Sequence, residues 1–320
     1  MDSQVSCRLV HSQPFKRATR MIEMPYFISG APPVVLALLW LALHVACFSA
    51  NAVAVKATSL TLTICQIIFF RSLATLACSA ITQSARVQIA TSIKSDVLRL
   101  LIVRAIAGFL GIYGVFYTIS VLPVPVAMTL TGITPVFVIF LEAAVTNERV
   151  RKEILLYALF AIASIYITTS ARGVSKFGDL DVMNIAIGLA AGALVAISFV
   201  SVRLTVRKVG TNAVVFWFGM GKFVGSLLLG GTAIFATHYT LHETILLSLI
   251  CFLGAISDFA KTAAYQYGRA WIVSMLSLLA IPASGILAFV FLQEKLFPSQ
   301  WLGIILMIFS LSAIAYRRNS

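Results

Sequence analysis

Long apolar segments recur along almost the whole chain, and short polar segments separate them. Each apolar segment has about the 20 residues that a helix needs to cross the hydrocarbon core of a bilayer. The segments are rich in Leu, Ala, Gly and Ile, and they lack the alternation of apolar and polar residues that marks membrane β-strands. The pattern predicts an all-α integral membrane protein with ten transmembrane helices, at residues 32–55, 61–82, 100–121, 127–146, 154–171, 182–204, 213–236, 245–266, 271–292 and 299–316.

Composition agrees with a chain that lies mostly in the membrane. Hydrophobic residues make up 60% of the 320 residues, charged residues only 11%, and the mean hydropathy is +0.99. A soluble protein carries about 25% charged residues because its surface faces water. Residues 1–31 are basic but lack an apolar core with a cleavage site, so they are predicted to be a cytoplasmic segment rather than a cleavable signal peptide.

The net charge of +13 reflects membrane topology rather than a nucleic-acid partner. With the N-terminus in the cytoplasm, sixteen of the 24 Lys and Arg residues fall in cytoplasmic segments and four lie within spans. Four more fall on the opposite side, namely Lys56, Arg172, Lys176 and Lys295. This distribution predicts a multi-pass protein of the cell inner (plasma) membrane with both termini in the cytoplasm. The five cysteines form no C-x-x-C pair, so neither a disulfide framework nor a zinc site is predicted.

Two segments of the chain repeat each other. "PVAMTLTGITPVFVIFLEAAVTNERV" and "IVSMLSLLAIPASGILAFVFLQEKL" align at a shift of 147 residues, which places Pro135 on Pro282. Each half holds five spans, so the second copy must lie inverted in the membrane, a construction that transporters use to form a site between the repeats. The predicted parts are a cytoplasmic segment (1–31), a first repeat (32–171), a linker (172–181), a second repeat (182–316) and a cytoplasmic tail (317–320).

Several motifs, in this order, resemble the EamA branch of the drug/metabolite transporter superfamily. They are "FFRSL" in the second span, "FYTISVLPVPVAMTL" between the third and fourth, and proline-bearing helices that end in "NERV" and "QEKL". The resemblance covers about residues 32–316 and implies secondary transport of small organic metabolites by alternating access. "FSANAVAVK" together with "FFRSL" is similar to the S-adenosylmethionine-uptake members, and riboflavin importers belong to the same broad family.

Charged residues within spans are functional candidates because burying a charge in hydrocarbon is costly. Apart from Arg203, at the cytoplasmic end of its span, the predicted spans contain six: Arg71, Arg104, Glu142, Lys222, Asp258 and Lys261. Arg71 and Lys222 lie in repeat-related spans, so we expect them to face one central cavity and attract a carboxylate or phosphate. Alternatively, each neutralises a neighbouring carboxylate or extends to the membrane surface. The surplus of cations favours an anionic or zwitterionic substrate.

Asp258 and Lys261 are three residues apart, so they share a helix face and are predicted to pair, either as a proton switch or as a structural link. Arg104 begins its predicted span and Glu142 lies near the end of its own, so both are predicted to lie near a membrane surface. His44 is predicted to hydrogen-bond a neighbouring helix.

The third predicted span combines glycines with tyrosines. Glycines spaced three apart predict close approach of another helix (Gly108, Gly111 and Gly114). Tyr113 and Tyr117 are four apart and project from one face, and Tyr265 lies near the matching place in the second half. With Trp40 and Asn51 they are predicted to contact the substrate, although Tyr117 also suits a membrane interface.

Pro135 and Pro282 each remove a backbone donor and free the carbonyl four residues earlier, at Thr131 and Leu278. In lipid such breaks persist only where hydroxyls, water or protein satisfy the backbone, and nearby Ser and Thr residues suit this role. The matched prolines are predicted to be hinges about which the repeats rock, or else static kinks.

No motif indicates an enzyme, a cofactor or a metal. "GMGK" lacks the glycine spacing and the Ser or Thr of a nucleotide-binding loop. His238 and His242 have no evident third ligand, and Ser284 has no histidine in the later spans to act as its base.

The sequence therefore predicts a carrier for an anionic or zwitterionic, amino-acid-like metabolite, with S-adenosylmethionine among the candidates. The lipid bilayer is its other partner, and a proton or an exchanged metabolite drives it. The alternatives are an exporter of drugs or toxic metabolites, an importer of a riboflavin-type cofactor, and a non-transporting membrane scaffold. Substrate identity, direction, coupling ion and oligomeric state are open at this stage.

Overall fold

The structure is a computed structural model. It describes residues 33–146, 160, 163–164, 167, 182–235, 239–268, 273–274, 276–293, 298, 301–306 and 308–310. The predicted N-terminal cytoplasmic segment (1–31), the C-terminal tail (317–320), the linker, most of the fifth span and His238 lie outside the described residues.

The described residues form helices and no strands, which confirms the all-helical prediction for this part of the chain. The helices are α1 (Pro33–Thr58), α2 (Ile64–Ser79), α3 (Gln83–Ile93), α4 (Leu98–Val121), α5 (Val124–Thr131), α6 (Thr134–Thr146), α7 (Val182–Val209), α8 (Thr211–Gly230), α9 (Leu241–Tyr267) and α10 (Ala280–Leu292). Two short 3-10 helices cover Gly231–Ile234 and Ser277–Leu279.

Six helical segments are long and apolar enough to cross a membrane, with α5 and α6 counted as one. The pair α2 and α3 passes the same test together but is bent by 105°, and the apolar helices near the C-terminus are shorter. The chain is therefore a multi-pass helical protein by length and composition. The count of ten spans stays a prediction.

Side-chain caps fix where two of the central helices begin. Thr63 accepts a hydrogen bond from the Gln66 backbone at the start of α2, and the Gln66 side chain accepts one from the Thr63 backbone. Thr240 and Glu243 form the same reciprocal arrangement at the start of α9. Such capping boxes satisfy backbone donors that a helix leaves unpaired at its first turn.

The glycines of α4 allow α7 to pack directly against it, as predicted. A Cβ atom added at Gly111 would lie 2.8 Å from the Val195 side chain, and one added at Gly114 would lie 2.7 Å from the Ala191 Cβ. No side chain fits at these distances, so the two helix backbones lie closer than larger residues would permit. This contact brings the middle of α7 to the central cavity described below.

Both prolines follow an interruption in a helix. Pro135 lies in the first turn of α6, four residues after α5 ends at Thr131. The Thr134 hydroxyl lies 2.6 Å from the Thr131 carbonyl oxygen and donates to it, so a hydroxyl satisfies the group that the proline leaves free. Pro282 similarly lies in the first turn of α10, directly after a 3-10 helix. A hinge role for either proline stays a prediction.

Candidate functional site

A cavity of about 920 Å³, including the space at its opening, lies among the described helices. Residues from both predicted halves of the chain line it, because α1, α2, α4 and α6 contribute as well as α7, α8, α9 and the segment around the second 3-10 helix. One part of the lining is apolar and includes Phe48, Ile112, Val115 and Leu278. Another part carries the ionisable side chains of four helices.

An ion cluster centred on Asp258 of α9 forms one side of this region. The Arg71 Nη2 atom lies 2.9 Å from Asp258 Oδ1, and the Lys222 Nζ atom lies 2.6 Å from Oδ2. Thr75 supports the cluster, since its hydroxyl accepts a hydrogen bond from Lys222 and lies 3.4 Å from Oδ2. Arg71 is 1% exposed and Lys222 is fully buried. The cluster therefore joins α2, α8 and α9 through one carboxylate.

The Arg71 guanidinium is held on several sides. Its Nη1 atom donates to Asn51 Oδ1 at 3.3 Å, and the Asn51 amide donates to the Ile250 carbonyl oxygen at 3.0 Å. The Phe116 ring centre is 5.3 Å from the guanidinium carbon, and a Cβ atom added at Gly254 would lie 2.4 Å from Nε. Arg71 is thus a paired and tightly packed cation, and pairing of this kind makes its position in the membrane tolerable.

The predicted pair between Asp258 and Lys261 is wrong. Both carboxylate oxygens of Asp258 are engaged by Arg71 and Lys222, which reach it from other helices. Lys261 lines the cavity one turn further along α9, and its Nζ atom lies 3.9 Å from the centre of the Phe199 ring. Within the described ranges, Lys261 has no carboxylate within 4 Å.

Arg104 is buried in the cavity lining rather than placed at a membrane surface, so its predicted location is wrong. It is 4% exposed, its Nη1 atom donates a short hydrogen bond to Ser198 Oγ, and its guanidinium lies 4.3 Å from the Phe218 ring centre. The reason is geometric: α4 begins at Leu98, so Arg104 lies two turns into the helix, where α7 and α8 cover it.

His44 also lines the cavity. Its Nδ1 atom lies 2.9 Å from Ser257 Oγ of α9, which confirms the predicted hydrogen bond to a neighbouring helix. Its Nε2 atom is buried and has no hydrogen-bond partner among the described residues.

Charge in this region is strongly unbalanced. Glu142 forms an ion pair with Arg203 of α7. The Arg203 side chain is 40% exposed, so the pair lies at an accessible edge, and its two charges cancel. The central group consists of Asp258 and four cations, namely Arg71, Arg104, Lys222 and Lys261. Asp258 forms ion pairs with two of these cations, Arg71 and Lys222. Arg104 and Lys261 line the cavity without a carboxylate partner among the residues that the structure describes. The central group of four cations and one anion therefore has a surplus of three positive charges.

The other predicted substrate contacts lie outside the cavity lining. They are Trp40, Asn51, Tyr113, Tyr117, Lys222 and Tyr265. The Tyr117 hydroxyl donates to Asn184 at 2.9 Å, and the Tyr265 hydroxyl shares a hydrogen bond with Ser274. Trp40 and Tyr113 pack against buried apolar clusters.

The aromatic wall of the cavity consists of phenylalanines that could not be selected from the sequence. Phe48, Phe199 and Phe218 line the cavity. The Lys261 ammonium lies over the Phe199 ring, and the Arg104 guanidinium lies over the Phe218 ring. With 22 phenylalanines in the chain, most of them in apolar spans, composition alone does not separate a wall residue from a lipid-facing one.

Comparisons with known proteins agree with this arrangement. Residues 35–170 match the EamA-like transporter family. The chain is 27% identical over 237 residues to the pseudopaline exporter CntI from two strains of Pseudomonas aeruginosa, a match that covers 73% of this chain and 80% of that protein. The crystal structure of another protein superposes with a TM-score of 0.63 at 18% identity, covering 89% of this chain and 98% of that one, which shows a shared fold.

Proposed function

We propose that the chain belongs to the drug/metabolite transporter superfamily, as the match of residues 35–170 to the EamA-like transporter family and the similarity to CntI support, and that it is a secondary carrier for a small organic anion or zwitterion. It crosses the cell inner membrane ten times, as two inverted repeats of five helices with both termini in the cytoplasm. The central cavity binds the substrate and opens alternately to each side, as in other carriers built from inverted repeats.

The observation that carries this proposal is the surplus of positive charge around the cavity. Arg104 and Lys261 line it without a carboxylate partner in the described part of the chain, and the Asp258 cluster adds one further positive charge. Buried charges are costly unless they are paired. An anionic substrate supplies the missing negative charge, so the occupied cavity is better balanced than the empty one.

The lining of the cavity supports an organic substrate. The apolar side, which includes Phe48 and Ile112, offers a surface for a hydrocarbon part, while the cations face the ionised part. An amino-acid-like compound combines both parts.

The sign of the charge ranks the candidate substrates. S-adenosylmethionine has one carboxylate, but its ammonium and sulfonium groups make it a net cation, which the surplus disfavours. Riboflavin is uncharged at neutral pH and leaves the cations unpaired. Acidic metabolites fit better, and similarity to a protein named as a pseudopaline exporter favours the outward direction.

Alternating access requires parts that move against each other. Pro135 borders the cavity next to a helix interruption, and Pro282 occupies the matching place in the second repeat. We propose these two positions as the hinges. The Asp258 cluster keeps α2, α8 and α9 together during the movement, because separating them would expose unpaired charges to lipid.

Counterflow in liposomes tests the proposal. Purified protein is reconstituted, separate batches are loaded with unlabelled pseudopaline, glutamate, leucine, S-adenosylmethionine or riboflavin, and the matching labelled compound is added outside without an ion gradient. We expect at least one acidic compound to accumulate severalfold above protein-free liposomes, and riboflavin not to accumulate. Repeating the positive batch with an imposed pH gradient then separates proton coupling from exchange. Accumulation of the net cation or of riboflavin alone would contradict an anion carrier, and no accumulation in any batch by folded protein would contradict the carrier itself.

A further inference from the structure

We infer that Arg104 and Lys261 form the anion-binding subsite of the cavity, and that it takes a substrate with two negative charges, as two carboxylates or one phosphate. The inference rests on the proposed transport function and adds the substrate class and the residues that select it. The Asp258 cluster is then a fixed neighbour of this subsite and makes no contact with the substrate.

Arg104 has unused hydrogen-bonding capacity in a buried position. A guanidinium has five N–H donors, and its one hydrogen bond among the described residues goes to Ser198. Its Nε atom is buried and has no hydrogen-bond partner among the described residues. The Arg104 side chain as a whole is only 4% exposed, and it lines the cavity. Buried donors are rarely left unsatisfied in native proteins. The Phe218 ring and Ser198 fix the side chain while part of the guanidinium stays free to bind an anion.

Lys261 lies on the same side of the cavity as Arg104. The two cations contact consecutive residues of α7. The Ser198 hydroxyl accepts a hydrogen bond from Arg104, and the Lys261 ammonium lies over the Phe199 ring. Two like charges placed together in a low-dielectric cavity repel each other unless an anion lies between them. His44 adds another polar atom to the lining, because Ser257 engages its Nδ1 and leaves the buried Nε2 without a partner in the described chain.

Arg71 is a poor candidate for direct substrate binding. Its two terminal nitrogens are engaged by Asn51 and Asp258. Its Nε atom has no hydrogen-bond partner among the described residues, but it lies against Gly254 of α9, 2.4 Å from where a Cβ atom would be. A substrate would have to displace a buried carboxylate to reach it. Lys222 is excluded more simply, because it is fully buried and does not line the cavity.

The number of charges follows from the local balance. The Asp258 cluster already pairs its carboxylate, whereas Arg104 and Lys261 together bring two positive charges with no anion. A monoanion would leave one of these two uncompensated, and a dianion compensates both. We therefore expect discrimination between compounds of the same shape that differ only in charge.

A probe series of one skeleton tests this: N-acetylglutamate with two negative charges, N-acetylglutamine with one, and N-acetylglutamine amide with none, with glycerol 3-phosphate for the phosphate arm. Binding to purified protein is measured by calorimetry and by the shift of the thermal midpoint. The wild-type protein should bind N-acetylglutamate about 30-fold more tightly than N-acetylglutamine, the ratio expected for one buried charge pair. If glycerol 3-phosphate binds and N-acetylglutamate does not, the site takes phosphate rather than two carboxylates.

The variants Arg104→Gln and Lys261→Gln should each reduce this ratio to about one, because a single cation then remains for either probe. Arg104→Lys and Lys261→Arg keep the charge and should retain most of the preference, which separates charge from shape and from misfolding. Exposed Arg99 on the same helix and exposed Lys94 provide the matched controls Arg99→Gln and Lys94→Gln, which should keep the full ratio.

The subsite is overturned if folded Arg104→Gln and Lys261→Gln protein keeps the charge preference. It is also overturned if the wild-type protein binds N-acetylglutamate and its neutral amide equally, or binds neither the dicarboxylate nor the phosphate probe. Counterflow separates this failure from failure of the proposed function. A wild-type protein that transports glutamate but shows no charge preference is a carrier with a different subsite, whereas a protein that transports nothing is not the proposed carrier.

Discussion

Replacing Asp258 by asparagine should reduce the stability of the folded protein by about 3–5 kcal/mol, the cost typical of breaking a buried ion pair by removing one partner. The asparagine has nearly the same shape but leaves Arg71 and Lys222, which are 1% and 0% exposed, close together without an anion. Lys222 is fully buried, and Arg71 borders the cavity but is almost as inaccessible. We expect less protein in the membrane fraction, a lower thermal midpoint in detergent, and no transport.

A second substitution shows whether charge is the cause. Asp258→Asn combined with Lys222→Gln restores the surplus of one positive charge that the native cluster has, and it should recover about half of the lost stability. Asp96 is exposed and provides the control, since Asp96→Asn should change the thermal midpoint very little. If Asp258→Asn is as stable as the wild-type protein, the cluster does not hold α2, α8 and α9 together.

Replacing Gly221 by alanine is the second change for which we expect a large effect, a loss of about 3 kcal/mol from overpacking. An added Cβ atom would lie 2.3 Å from the carbonyl oxygen of Ala105 and 2.7 Å from its carbonyl carbon. These are backbone atoms, so α4 and α8 would have to separate. In a helix interior alanine is about 1 kcal/mol more favourable than glycine. The expected loss of stability would therefore come from the steric conflict, despite the better helix propensity of alanine. The shift would also move Lys222, the next residue of α8.

Gly219→Ala in the same helix is the matched control. The nearest atoms to a Cβ atom there belong to the Leu76 side chain, at 3.1 Å, and a leucine end adjusts more easily than a backbone carbonyl. The thermal midpoint in detergent should therefore fall much further for Gly221→Ala than for Gly219→Ala. Equal effects of the two variants would mean that α4 and α8 are less tightly packed than described.

Much of the fold followed from the sequence because helix formation in a membrane depends on local features. Apolar length sets where helices occur, and Gly111 and Gly114 of α4 correctly indicated the close approach of another helix, which is α7. Helix ends were harder to place. The start of α4 at Leu98 places Arg104 two residues deeper in its helix than predicted, and the packing of α7 and α8 over it could not be predicted from the sequence.

The site followed only in part, because partner choice depends on which helices meet. Arg71, Lys222 and Asp258 were recognisable from the cost of placing charge in apolar spans, and they do lie together. The spacing of three residues predicted Lys261 as the partner of Asp258, because spacing identifies only neighbours within one helix. It does not identify residues of α2 or α8 that pack against α9. The tyrosines lie outside the cavity lining for a similar reason. The sequence can predict that two residues share a helix face, but which neighbour that face contacts depends on how the helices pack.

The ion cluster also constrains how the protein is made. Arg71 precedes Asp258 by 187 residues. At the usual rate of synthesis, about 10–40 s pass after α2 is made before its partner in α9 emerges from the ribosome. During that interval α2 carries an unpaired arginine, so it must stay near the membrane surface, remain in the insertion machinery, or be shielded by a chaperone. A nascent chain that stops before α9 would never acquire the compensating carboxylate and would present a charged, poorly inserted helix to the cell's membrane quality control.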